Sequence, residues 1–150
     1  MATEYRFYHL TRHDTFTALP ALLEKCRERD LRVIVKVDTQ ERSEDLCVRL
    51  WTYRDISFLP HGNAQDGQGD QHPIWITHLS DVPNNATVLF QTFGSELDGD
   101  KTPFELVCTL IEDGDEAAVL AARAGAKNLQ ADNEKVVFWQ QGAQGWQQVS

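Results

Sequence analysis

Apolar side chains recur along this chain with two different spacings, and the two alternate. Tyr5-Arg6-Phe7-Tyr8-His9-Leu10 is rich in aromatics with an every-other pattern, which predicts a first strand. After a polar turn at Arg12-His13-Asp14, Phe16, Leu19, Leu22, Leu23 and Cys26 fall at the three- and four-residue steps of an amphipathic helix. Pro20 constrains where that helix begins, because proline is accepted in a first turn and resisted further in. Lys25, Arg27 and Arg29 suit the negative end of the helix dipole. Arg32-Val33-Ile34-Val35-Lys36-Val37 is apolar almost throughout and predicts a strand near the centre of its sheet. A second helix is predicted over 41–51, with Leu46, Cys47, Leu50 and Trp51 on one face. A β-α-β-α opening of this kind favours a parallel sheet covered by helices.

The middle of the chain reads differently. Residues 56–61 form a short extended piece ending at Pro60-His61, and residues 62–71 are polar and glycine-rich, which predicts a flexible loop. Strands are predicted over 73–78 and 86–91, split by the turn signal Asp81-Val82-Pro83-Asn84-Asn85, and another over 104–110. An alanine-rich helix follows over 115–131, then a last strand over 136–139 and a polar, glutamine-rich end containing Trp146. With neither an internal repeat nor a linker, residues 1–150 are predicted to form a single α/β domain with a mostly buried sheet.

Composition narrows the function classes. The chain lacks an apolar run of the roughly 20 residues that a membrane-spanning helix needs, and its start does not read as a secretory leader. Cys26, Cys47 and Cys108 are odd in number and far apart, which predicts buried free thiols in a reducing, cytoplasmic setting. Acids outnumber bases 23 to 14, a net charge of −9, so a broad phosphate-binding face for nucleic acid is not expected. The imbalance is local: residues 1–54 hold ten bases and nine acids, residues 55–150 four bases and fourteen acids.

Catalytic signatures are missing. The first strand runs into Leu10-Thr11-Arg12-His13 and not into a glycine-rich dinucleotide turn. The chain also lacks a P-loop, a Gly-x-Ser-x-Gly elbow and a His-Glu-x-x-His helix. The best enzymatic candidate is the set His61, Asp66, Asp70, His72 and His78, which could in principle serve a small metal-dependent hydrolase. Its spacing fits no metal motif and its backbone is glycine-rich, so solvated loop residues are the expected reading, with no metal or cofactor.

Several stretches, in order along nearly the whole chain, resemble the chi subunit of bacterial DNA polymerase III. They are Phe7-Tyr8-His9-Leu10, the helix from Leu19 to Cys26, Arg32-Val33, Pro73-Ile74, Val88-Leu89-Phe90, Ala122-Arg123 to Lys127 and Phe138-Trp139-Gln140-Gln141. The most specific is Leu50-Trp51 followed by Ser57-Phe58-Leu59-Pro60-His61. The resemblance implies a three-layer, Rossmann-like α/β fold, with a mostly parallel sheet, helices on both faces and no nucleotide-binding loop. It implies an accessory replication subunit without an active site, linking the clamp loader to single-stranded DNA-binding protein.

Two binding surfaces follow from that resemblance. One takes the acidic C-terminal tail of single-stranded DNA-binding protein, which calls for cations beside an apolar pocket. It maps to Arg123 and to Lys127 four residues on, with Lys135 joining only if it points to the same side. Ala126, Gly125 and Val119 depart from the aromatic and basic residues the family carries there. The other surface takes psi or another clamp-loader subunit, with a helicase as an alternative, and maps to Trp51, Phe58, Pro60 and His61. An α/β adaptor for an unrelated protein is the rival in which only the fold is shared.

Overall fold

The computed structural model describes residues 3–12, 14–51, 61–63, 72–99, 101, 103–142 and 145–149. The elements run β1 (Glu4–Leu10), α1 (Thr15–Glu28), β2 (Val33–Lys36), α2 (Gln40–Trp51), β3 (His61–Asn63), β4 (Ile74–Thr77), β5 (Val88–Gln91), β6 (Leu106–Glu112), α3 (Glu116–Ala131), β7 (Lys135–Gly142) and β8 (Gly145–Val149). Among the described residues the strands form one sheet in the order β3-β4-β2-β5-β6-β1-β7-β8. Every neighbouring pair is parallel except β7 with β8. The expected α/β architecture, mostly parallel with helices on both faces, is what the chain adopts. The apolar β2 lies inside the sheet, buried at all four positions.

Strand alternation sorts the side chains onto two faces. On one face Tyr8, Leu10, Val33, Val35, Ile74, Ile76, Phe90, Cys108 and Leu110 form a core with the apolar sides of α1 and α2. On the other, α3 lays Ala122 and Ala126 on Phe7 and Ile111, with Phe138 stacked on Phe7 at 5.4 Å. The rest of that second face carries Ile34, Trp75, Leu89 and Val107, covered by Ala86, Leu97 and Phe104 from the segments flanking β5. All three cysteines are free and buried. Among the described residues no helix is long and apolar enough to cross a membrane.

Local chemistry fixes where the helices start and stop. Asp14 caps α1 by accepting from Thr17 N–H at 2.9 Å, and Asp115 caps α3 by accepting from Ala118 N–H at 3.1 Å. Both helices end with a non-glycine residue in the left-handed region, Asp30 (φ 59°) and Asn133 (φ 61°). In each case the next amide reaches back to close the last turn, Leu31 N–H to Cys26 C=O and Glu134 N–H to Leu129 C=O. Pro20 corrects the sequence reading: the helix starts upstream at Thr15, which leaves Pro20 buried inside it. The cap at Asp14 and the burial of Leu19, Leu22 and Leu23 on one face outweigh the single backbone bond that proline removes.

One end of the sheet holds the place where such folds usually take a ligand. β1 and β6 are neighbours, yet β1 leads into α1 on one face and β6 into α3 on the other, which opens a crevice at their C-terminal ends. Here Glu112, the last residue of β6, accepts a 2.7 Å hydrogen bond from Thr15 N–H at the start of α1. The chain's own carboxylate sits where a bound anion would be expected.

Candidate functional site

Beside α3, on the face it covers, lies a groove of about 650 Å³. β7 builds its floor, because alternation turns Val136, Phe138 and Gln140 toward α3. The helix supplies the facing wall. Leu120, Arg123, Ala124 and Lys127 are spaced at three- and four-residue steps and form one stripe along it, with Ala126 below and Gln130 at the end. His9 of β1 closes one side and meets Asp113 through Nε2···Oδ1 at 3.1 Å.

The groove's chemistry is uneven in a useful way. Among the described residues no carboxylate lines it. Arg123 and Lys127 are exposed, and neither has an ion-pair partner among the described residues. Leu120 is 69 % exposed, the most exposed large apolar residue described. Two uncommitted cations and an uncovered leucine over a Val136–Phe138 floor suit an acidic peptide with an apolar tip: charge at the rim, burial beneath.

The structure thus brings Arg123 and Lys127 together and sets Lys135 apart. Lys135 opens β7 at a position whose side chain points to the other face, and its Nζ lies 2.9 Å from Glu4 Oε1. Glu4 also pairs with Arg6. Partial burial would raise the Glu4 carboxyl, but its hydrogen bonds to Lys135 and Arg6 hold it below its ordinary 4.5. The departures at 119 and 126 have a packing role: Ala126 belongs to the core cluster under α3, and the half-buried Val119 packs against it. Gly125 faces open space, and a Cβ added there would meet nothing within 4 Å.

Of the residues assigned to the second surface, Phe58 and Pro60 lie outside the described residues, while Trp51 closes α2 and His61 opens β3. The loop predicted over 62–71 overlaps β3 at Gly62 and Asn63, and residues 64–71 lie outside the described residues, Asp66 and Asp70 among them. His72 stacks on Trp75 at 5.8 Å, and the His78 carbonyl accepts from Lys36 Nζ at 2.5 Å. Among the described residues no group of three His, Cys, Asp or Glu is placed to hold a metal ion.

Sequence reasoning missed Leu120, His9, Val136 and Phe138. A signal for Leu120 was present, since it precedes Arg123 and Lys127 by three and seven residues and therefore shares their stripe. For the strand residues the every-other pattern was readable, but which face α3 would cover was not.

Residues 2–136 match the family described as "DNA polymerase III chi subunit, HolC". A protein of Rickettsia prowazekii (strain Madrid E) named "Probable DNA polymerase III subunit chi" is 34% identical over 86 residues, which cover 57% of this chain and 52% of the relative. The matched part is thus about half the length of that relative.

Proposed function

This chain belongs to the DNA polymerase III chi subunit family, and on that footing we propose that it is a non-catalytic link between the clamp loader and the acidic C-terminal tail of single-stranded DNA-binding protein. What carries this reading is the α3 groove, where, among the described residues, Arg123 and Lys127 have no ion-pair partner above an apolar floor and no carboxylate joins the lining. The tail's carboxylates meet the two cations, and its terminal apolar side chain enters between Leu120 and Phe138. On the other surface, psi or another clamp-loader subunit docks on the segment from Trp51 through Phe58 and Pro60 to His61, a helicase being the alternative occupant. The setting is cytoplasmic, at the replisome, and contact with DNA runs through the coating protein, as a chain of net charge −9 favours.

Titration with a peptide ending Asp-Phe-Pro-Phe tests the groove. Binding with a Kd on the order of micromolar is expected at low salt, weakening as salt rises. Arg123→Ala should weaken it by about tenfold, the loss of one charge-assisted contact. A peptide that fails to bind at low salt, or that binds Arg123→Ala as well as wild type, sinks the tail-docking reading. Co-purification with clamp-loader subunits tests the second surface, and recovery of the chain without any of them counts against it.

A further inference from the structure

The opposite face of the sheet carries a second cavity, of about 370 Å³, under the C-terminal half of α1. Its floor is apolar, made by Leu22, Cys26, Phe90 and Leu106. Lys25 and Arg29 stand exposed on its rim, and neither has an ion-pair partner among the described residues. Arg6 lines it from β1, held by Glu4 and by the Tyr8 hydroxyl, to which its Nη1 donates at 3.5 Å. With Arg6 already paired to Glu4, the two rim cations face one carboxylate among the described lining residues, Glu28.

Lys25 and Arg29, without an ion-pair partner among the described residues and set above an apolar floor, are the same chemistry as the α3 groove, assembled from different residues on the other side of the sheet. We propose that this cavity is a second docking site for an acidic peptide segment with an apolar tip, so that one chain holds two such segments at once. Charge complementarity selects the occupant. In a chain of net charge −9, a local surplus of positive groups over apolar side chains favours an acidic peptide over a basic or neutral one. For its ligand class the inference rests on the proposed function; its residues are separate. A partner presenting more than one acidic tail would then be held at two points, and the second contact would form at the effective concentration set by the first.

Calorimetric titration of the full chain with the peptide ending Asp-Phe-Pro-Phe, at low salt, decides the matter. Two peptides per chain are expected for wild type. One is expected for Lys25→Glu/Arg29→Glu, and one for Arg123→Glu/Lys127→Glu. All four residues are exposed, and circular dichroism checks that both variants remain folded. A single site lost with Arg123→Glu/Lys127→Glu and untouched by Lys25→Glu/Arg29→Glu overturns the second site and leaves the proposed function standing. A single site with the reverse dependence overturns the double occupancy and the groove reading, and leaves the cavity as the one docking site. Absence of binding overturns both. Equal binding by a peptide of the same charge with glycine in place of both phenylalanines also overturns the inference, because the floor would then contribute nothing.

Discussion

Leu120 is 69 % exposed, which on a folded surface is ordinary for a single leucine and contributes little to the core. Under the proposed function its place in the α3 groove gives it a use, and packing and binding separate experimentally. Leu120→Ser should leave the melting temperature nearly unchanged, within about 0.5 kcal/mol of stability. The same change should weaken peptide binding by roughly tenfold, the loss of about 1.4 kcal/mol of apolar burial, which fluorescence anisotropy would read. A leucine in a helix reads first as core in any sequence, which is why the resemblance pointed to Arg123 and Lys127 and not to their apolar neighbour. Tyr8 makes the complementary case of a polar tip taken inside. Burial pushes its phenol up to about 12 from an ordinary 10, so it stays neutral where an exposed tyrosine ionises. A folded value above the unfolded one stabilises fully below pH 10, and that contribution is lost as pH rises toward 12. Tyrosinate absorbance should therefore show a late-titrating group in wild type that is missing in Tyr8→Phe.

Among the elements, α3 carries an avoidable cost. Gly125 sits inside it with open space where a side chain would go. Gly125→Ala should stabilise the protein by about 1 kcal/mol, with the urea midpoint raised and the peptide affinity kept. No loss of peptide binding is expected from this change, since Gly125 is not among the residues lining the groove. Helix and strand identities were legible where the apolar pattern was strong, as in α1 and β2, or where alanine favoured a helix, as in α3. β8 was not, because Gly145-Trp146-Gln147-Gln148-Val149 offers little apolar alternation. The strand forms through antiparallel pairing with β7, Gly145 opening it at φ 113°, together with an edge-on contact of Trp146 with Tyr8 at 5.0 Å. Both stabilising contacts lie outside the segment itself, so its own residues do not announce them.

At the scale of the whole molecule, the parallel sheet was foreseeable from the β-α-β-α opening and its order was not. β5 and β6 insert between β2 and β1, a pairing of strands far apart in sequence that local pattern does not encode. The side of the sheet on which each cation emerges depends on that order, which is how Lys135 came to face Glu4 and not the groove. Glu4 joins β1 to β7 through Lys135 and to its own strand through Arg6. Because its folded carboxyl lies below the ordinary value of 4.5, the stabilisation is complete above that pH and is lost as pH falls through the lowered value. Urea unfolding between pH 3 and 6 should show stability declining toward the acid end, with a smaller decline in Glu4→Gln.

Glu112 can be regarded as an intramolecular ligand. Tethered by its own strand, it meets the start of α1 at an effective concentration that a free anion in solution does not match. An incoming phosphate would have to displace it and then face both its charge and that of Asp14 close by. The crevice end of the sheet is thus a joint between a strand and a helix. Removing the tethered carboxylate should reverse the exchange. In Glu112→Ala the melting temperature should fall and then recover on adding millimolar inorganic phosphate, while wild type should show no comparable specific rise.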